Sequence, residues 1–585
     1  MIRILKRLNK SQWILFALGA VFLILQIFFN LKIPDYMEVI TSLVKRSDST
    51  MSEIIANGGW MLLCALLSIV CGITANWFTV RMASSYSKDL RADVYDHIEQ
   101  FSMGEIDDFS TASLITRNTN DITQIQNFLF RGLQNFIKVP FMAVMAFIKI
   151  WGKHRQWITL TFISVALMMA LILFLMMYAH PKLRMRQTYT DNLSRILREE
   201  LTGVRVIRAY NAEDLQKKKY DHANEVLTVS ERKAHHAMRL MMPMVRFINN
   251  ALMAAIYITG AYIIVEANAG DRVSIFSDMI VYSSYAAILI RSFMDLNMVF
   301  NQYPRASVSA ERILAVLDTE SSVKDGDHPI TETKEKGKLE FRNVSFRYPG
   351  SSENVLEDIS FTLEGGKTLA IIGATGSGKS TIVNLIPRLY ELEQGEILVD
   401  DVNINDLSLD VLRSKVGYAS QRAILFTGTV KSNVGYGDNL KHKPSDEEVW
   451  QAVDIAQARD FVEEKENGID SVITRGGTNI SGGQKQRLSI ARSVAWKPEI
   501  YVFDDTFSAL DYATDRKLRT ALKEKTKGVS TLLVAQRIGT IRDADQILVL
   551  DEGKIVGRGT HQELMKNCQV YREIAQTQLS EEELA

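Results

Sequence analysis

The residues best suited to chemistry are Gly373, Ala374, Thr375, Gly376, Ser377, Gly378, Lys379, Ser380 and Thr381. They match the P-loop pattern in full. Glycines let backbone N–H groups turn inward around phosphate oxygens. Lys379 would reach the outer phosphates, and Ser380 would offer its hydroxyl to Mg²⁺. Residues 368–372 form an apolar run that reads as a strand, and 382–386 read as a helix start, which is the setting such a loop needs. A second phosphate-friendly loop, Ser481-Gly482-Gly483-Gln484, opens another helix pattern. The apolar run 500–503 ends in Asp504 and Asp505, and an acid at such a strand end holds Mg²⁺ in P-loop enzymes. Tyr348, ahead of the turn Pro349-Gly350, can stack on a base. One nucleotide does not need two phosphate loops from one chain. The second loop is therefore expected to complete a site on another chain.

These residues sit in the second half of a chain of 585 residues, too long for one domain. Lys+Arg and Asp+Glu balance at 68 each, which argues against a nucleic-acid partner. The three cysteines, Cys64, Cys71 and Cys568, form neither a disulfide framework nor a zinc pattern. Hydrophobic residues make up 47% but crowd into long runs in the first half. Six membrane helices are expected near 13–33, 54–80, 128–151, 157–179, 245–267 and 275–302. The basic head, with Arg3, Lys6, Arg7 and Lys10, places the N-terminus in the cytoplasm, and six spans return the C-terminus to the same side. The basic loop Lys149–Arg155 then lies outside, against that bias. Long polar helical stretches, 81–126 and 181–239, read as membrane helices continuing into the cytoplasm, with breaks at 107–116 and 209–214. The domains are read as 1–318 in the membrane, a polar linker at 319–338, and a nucleotide-binding domain at 339–585.

The order Tyr348, P-loop, Gln421, Ser481-Gly482-Gly483-Gln484, Asp504-Asp505 and Ser508-Ala509-Leu510-Asp511 resembles the ATP-binding cassette (ABC) transporters. Six helices ahead of one cassette resemble the exporter half-transporters. The resemblance implies an α-helical membrane domain of the type IV exporter fold, fused to an α/β P-loop domain. It implies a dimer with two ATP molecules, each held between one P-loop and the facing signature loop. Tyr348 then stacks on adenine, Lys379 binds phosphates, and Ser380, Gln421 and Asp504 surround Mg²⁺. Ser481 to Gln484 contact the facing ATP. The two breaks resemble coupling helices, and Arg117 and Asp121 fall where exporters show an Arg…Asp pattern.

Two residues depart from the family's hydrolytic pattern. Asp505 stands where a glutamate usually polarises the attacking water, and Gln536 stands where a histidine is usual. Aspartate is one methylene shorter, and a misplacement of about 1 Å can cost roughly 100-fold in rate. Glutamine can hydrogen-bond to phosphate but cannot carry a proton as imidazole does. The expectation is a site that binds ATP and turns it over slowly, beside an intact signature loop. That combination implies a heterodimer with a second half-transporter.

The expected activity is ATP-driven export of small amphipathic compounds across a bacterial cell membrane, with membrane lipid as the surrounding partner. Lipid or peptide export and an ATP-dependent membrane sensor are the alternatives. Met142, Met145, Phe147, Tyr282, Tyr285, Phe293, Met294 and Asn297 are candidates for the substrate path, with packing as their other role. Arg291 and Asp295 share a helix face and either pair together or meet charged substrate.

Overall fold

The computed structural model describes residues 1–44, 49–268, 271–326, 328–333, 336–437 and 443–578. It divides into two compact units, Met1–Tyr95 with Thr116–Val316, and Asp96–Ile115 with Leu317–Ala585.

In the first unit, six helices of the described residues are long and apolar enough to cross a membrane: Lys10–Val44, Met51–Glu99, Thr111–Ile150, Arg155–Leu175, Arg239–Glu266 and Arg272–Phe293. Bilayer hydrocarbon leaves no partner for free backbone groups, so a helix satisfying its own hydrogen bonds is the stable form for these runs. The fourth and fifth spans belong to helices Arg155–Ala209 and Glu213–Glu266, of 55 and 54 residues. At 1.5 Å per residue each is about 80 Å long, far more than a bilayer needs. They run back along each other. Their junction is a tight break in which Asn211 takes the left-handed conformation and Tyr210 stays exposed.

The third span carries two π-helical turns, Arg117–Asp121 and Phe128–Gly132. Asp121 is buried and accepts a 2.6 Å hydrogen bond from Ser309, while Arg117 donates to the Arg312 carbonyl at 2.8 Å. The Arg…Asp pattern thus ties the third helix to the sixth.

The basic loop that runs against the charge bias pairs its lysines with carboxylates of other helices. Lys149 pairs with Asp35 of the first helix at 2.7 Å. Lys153 pairs with Glu38 at 3.1 Å and with Asp278 of the sixth helix at 2.5 Å. Tyr285 donates to the Leu31 carbonyl at 2.9 Å and also meets Asp35. Ser277 donates to the Glu38 carbonyl at 3.0 Å. Both lysines of the loop are thus held by carboxylates of neighbouring helices. This cluster fastens the first helix to the third and sixth. Asp35→Asn should cost about 1.5–3 kcal/mol, the range for a hydrogen bond to a charged group. Thermal unfolding of Asp35→Asn, Lys149→Met and the double variant tests this, since full additivity of the two losses would refute the pairing.

The second unit contains the cassette. Strands β1 (Leu339–Phe346), β2 (Leu356–Leu363), β4 (Gln394–Val399) and β5 (Val402–Asn403) form an antiparallel sheet ordered β2-β1-β4-β5. Strands β3 (Thr368–Gly373), β6 (Val416–Ala419), β9 (Ile500–Asp504), β10 (Ser530–Val534), β11 (Gln546–Asp551) and β12 (Lys554–Gly559) form a sheet ordered β12-β11-β3-β10-β9-β6. Only the β11–β12 pair of that sheet is antiparallel. The short strands β7 (Gly428–Thr429) and β8 (Val472–Ile473) pair separately. Side chains alternate across the parallel sheet, as the period of two requires. Leu369, Ile371, Ile500 and Val502 enter one buried cluster, while Ala370, Ile372, Tyr501 and Phe503 enter the other.

A short helix, Met103–Phe109, belongs to this unit although it lies between the second and third spans. Ser102 and Glu105 close its N-terminus as a capping box. Met103 N–H donates to the Leu389 carbonyl at 3.0 Å, and Tyr390 donates to Asp107 at 2.9 Å. Glu105 also accepts from Ser322 N–H at 3.2 Å, and these bonds hold its carboxyl below the usual glutamate range although burial works the other way. The first cytoplasmic tip is therefore built onto the cassette by main-chain and side-chain bonds. Its helix begins a few residues before the break read at 107–116.

Candidate nucleotide site

Parallel strands bring their carboxyl ends to one edge, where open α/β sheets bind ligands. Val534 of β10 lies opposite Ile371 of β3 on one side and Asp504 of β9 on the other. The loops that follow β3, β6, β9 and β10 thus open side by side. They carry Gly373–Thr381, Gln421, Asp505 and Gln536. A cleft of about 320 Å³ at this edge is lined by Val355, Thr375, Gly376, Gly378, Lys379, Ser380, Thr381, Gln421, Asp504, Asp505, Val534 and Gln536.

The loop after β3 has no room for other residues at key points. Gly378 has φ +96°, and a Cβ there would stand 2.7 Å from Leu356 Cδ2. A Cβ on Gly373 would stand 2.1 Å from the Leu550 carbonyl oxygen. Lys379 donates to the Gly373 carbonyl at 2.9 Å, the Ala374 carbonyl at 2.6 Å and Ser377 Oγ at 3.3 Å. Burial lowers its pKa, opposed by Asp505 and Asp504. The loop's own oxygens stand in for the phosphate oxygens that this ammonium would meet.

Ser380 Oγ donates to Asp504 at 3.0 Å. Asp504 is 4% exposed, and burial pushes its carboxyl above the usual range, with the Ser380 bond opposing and the Asp505 charge adding. The hydroxyl, the carboxylate and the Gln421 carboxamide are hard oxygen donors in one cleft, a set that fits Mg²⁺. Held there, Mg²⁺ would neutralise charge on the phosphates.

Asp505 takes two amide donors on one oxygen. Gln536 Nε2 lies 2.8 Å from Asp505 Oδ2, and Gln421 Nε2 lies 3.3 Å from the same atom. Burial raises this carboxyl, and the Gln421 bond is the first of the interactions that pull it down. The residue itself sits in the left-handed region at φ 48°, which aspartate tolerates better than most residues.

Tyr348 shares a 3.0 Å hydrogen bond with Thr381 Oγ1, so its ring stands beside the P-loop. Phe346 and Tyr390 hold it edge-on, with centroids 5.1 and 5.2 Å away. The Ser481–Gln484 loop is elsewhere. None of its residues lines the cleft, and Ser481 and Gly482 are exposed. Ser481 caps the helix Gly482–Ala495 in a capping box with Gln484, at 3.3 and 2.9 Å.

In the membrane unit, an apolar cavity of about 250 Å³ is lined by Ala143, Val144, Phe147, Ile150, Thr161, Phe162, Val165, Leu289 and Phe293. Phe147 and Phe293, two of the candidates for the substrate path, line it. Tyr285 does not, because it is buried with its hydroxyl committed to Leu31 and Asp35. Tyr282 is likewise buried and bonded to Thr161 at 2.8 Å. Asp295 lies 3.9 Å from Lys138, and Arg291 is exposed. The Met294 and Asn297 side chains lie outside the described residues.

Comparison with known proteins adds the family. Residues 16–293 match the family model described as ABC transporter transmembrane region, and residues 356–508 match the one described as ABC transporter. An uncharacterized ABC transporter ATP-binding protein of Mycobacterium tuberculosis is 35% identical over 542 residues, 92% of each chain. The chain belongs to the ABC transporter family. An ATP-dependent lipid A-core flippase of Aromatoleum aromaticum is 32% identical, covering 87% of this chain and 83% of the relative. A solved bacterial Atm1-family ABC exporter with ATP bound superimposes with a TM-score of 0.80 at 22% identity, covering 97% of this chain and 99% of that one. The fold is therefore that of a type IV ABC exporter, a multi-pass membrane protein whose cassette binds ATP with Mg²⁺ and couples hydrolysis to transport.

Sequence reading did not find Thr381 as the partner of Tyr348, nor Tyr390 as the ring beside it. Thr381 was legible as part of the loop, but its bond to an aromatic 33 positions earlier is a product of the fold. Asp504→Asn should weaken Mg²⁺-dependent ATP binding by more than about 10-fold, since even outer partners of metal ligands matter that much. ATP titrations with and without Mg²⁺ check this, and equal affinity of variant and parent in Mg²⁺ would refute the assignment.

Proposed function

We propose that this chain is one half of a heterodimeric exporter of amphipathic compounds, with a slow ATP site of its own. The observation that carries this reading is the pair of amides on Asp505 Oδ2, from Gln536 at 2.8 Å and Gln421 at 3.3 Å. A carboxylate that polarises water needs a free lone pair aimed at the γ-phosphate side of the cleft. Here one oxygen is occupied twice, and the side chain is a methylene shorter than glutamate. Gln536 presents an amide in place of an imidazole, so it can steady a phosphate and a carboxylate but moves no proton.

Binding survives these changes, because Lys379, Ser380, Asp504 and Tyr348 are all in place. The signature loop lies outside this cleft and is intact. It is suited to complete an ATP site on a facing cassette that supplies glutamate and histidine. Conformational closure on ATP and reset on hydrolysis at that facing site then drive alternating access. The apolar cavity, with aromatic walls from Phe147, Phe162 and Phe293, supports an apolar or amphipathic cargo. The flippase relative favours a second reading, in which the cargo is a lipid.

Restoring the usual residues tests the slow site. Asp505→Glu with Gln536→His should raise ATP turnover of this chain purified alone by about 10²-fold or more, the scale of a positioned base. Rapid turnover by the unaltered chain alone would sink the proposal. Vesicles holding both half-transporters, loaded with either a fluorescent amphiphile or a labelled lipid, separate the two cargo readings. Val144→Trp, filling the cavity, should abolish movement of whichever one is carried.

A further inference from the structure

Two cations lie inside the membrane spans beside a single carboxylate. Lys138 belongs to the third span, Thr111–Ile150, and Arg291 to the sixth, Arg272–Phe293. From Lys138 to the end of its helix at Ile150 is about 18 Å at 1.5 Å per residue. The hydrocarbon layer is about 30 Å thick, so this ammonium sits near its middle. Charge at that depth is costly, and it belongs on a wet face or beside an opposite charge. Asp295, one turn after Arg291 on the same helix face, is 3.9 Å from Lys138.

That pair is loose. Its 3.9 Å separation exceeds hydrogen-bond length, and the two side chains are 34% and 35% exposed. Lysines that tie helices together elsewhere in this chain make short pairs, 2.7 Å for Lys149–Asp35 and 2.5 Å for Lys153–Asp278. Arg291 is engaged still less. It is exposed, and among the described residues no carboxylate lies within 4.0 Å of it. The face continues polar one turn before Lys138, where Gln134 donates to Asn76 at 3.0 Å and to Thr79 at 3.3 Å, and Asn76 is exposed. Leu289 and Phe293, which line the apolar cavity, are about half a turn around the sixth helix from Arg291. The cations are therefore apart from that cavity, on a surface fit for water and charge. Two cations against one carboxylate leave a surplus positive charge, which an anion from outside the chain would balance.

We propose that Lys138 and Arg291 form a site for the anionic headgroup of an amphipathic cargo. Asp295 is the counter-charge that holds Lys138 while the site is empty and releases it to the headgroup. A guanidinium suits the task, because its planar fork takes two oxygens of one phosphate or carboxylate. The inference rests on the reading above that amphipathic compounds are carried, and it narrows them to anionic ones. A carboxylate of the facing half is the competing partner for Arg291. The exposed, half-engaged Lys138 beside it favours a ligand that comes and goes, since the fixed ties between helices in this chain are short.

The test uses the transporter assembled from this chain and the proposed facing half, in nanodiscs of phosphatidylcholine. Two fluorescent probes share one alkyl chain and one dye, and end in phosphate or in trimethylammonium. Titration of each gives the ratio of their affinities. The parent should bind the phosphate probe several-fold tighter. Arg291→Gln should weaken binding of that probe by about 10-fold, the scale of one hydrogen bond to a charged group, and leave the other probe nearly unchanged. Arg291→Lys should keep most of the preference, and Asp295→Asn should strengthen it. Lys138→Gln should reduce it too, and serves alone if Arg291→Gln does not assemble. Equal parent affinities overturn the proposal, as does a preference that survives both Arg291→Gln and Lys138→Gln. Loss of co-purification with the facing half in Arg291→Gln, with the preference kept, overturns it in favour of a pair across the dimer. Movement of the probes in sealed vesicles tests the underlying reading separately. A phosphate preference in binding with neither probe moved would leave the anion site standing and refute amphiphile export.

Discussion

The parallel pairing of β3, β10, β9 and β6 is the constraint on which the nucleotide chemistry depends. Residues distant in sequence become neighbours only because Val534 is opposite Ile371 on one side and Asp504 on the other. A slip of one residue would turn each strand's side chains to the opposite face. It would take Asp504 out of reach of Ser380 and Gln536 out of reach of Asp505. Two apolar clusters, one on each face of the sheet, hold the register, and every residue of β9 is buried. The two central carboxylates therefore stand at the end of a fully buried strand. Their desolvation is relieved by hydrogen bonds from Ser380, Gln421 and Gln536, and a bound cation would relieve it further.

Much of this was legible in the sequence, for identifiable reasons. The P-loop reads directly because glycine is required where φ is +96° at Gly378, so chemistry and backbone leave the same mark. Six spans read directly because a bilayer demands long apolar runs. The Asp-Asp and Ala-Gln dipeptides read as departures because they sit at fixed places after apolar strands. The hydrogen bonds between them did not, since the 31-residue separation of Asp505 and Gln536 is closed only by the sheet. The pairing of the lysines in the basic loop at 149–155 was hidden for a related reason. Its partners Asp35, Glu38 and Asp278 lie more than 100 positions away, and charge counting along the chain cannot see them. The substrate path was least legible. A tyrosine in a membrane helix reads alike whether it faces a cavity or, like Tyr285, holds a neighbouring helix.

The tip helix Met103–Phe109 links structure to transport most plainly. Its bonds to Leu389, Tyr390 and Ser322 make it part of the cassette unit, while the chain on both sides of it runs into membrane helices. Tyr390 touches both Asp107 of this helix and the ring of Tyr348. The residue suited to stack on adenine is therefore one aromatic contact from the segment that leads to the membrane.

The central claim is that the chain's own cleft holds ATP without rapidly cleaving it, and the identity of the nucleotide left in that cleft tests it most directly. The transporter assembled from this chain and the proposed facing half is allowed to turn over with radiolabelled MgATP. It is then stripped of loosely bound nucleotide, and the label cross-linked to Tyr348 of this chain is identified. The account predicts intact ATP on Tyr348 after many turnovers of the complex. Stoichiometric ADP there, formed at the rate of overall turnover, would contradict it.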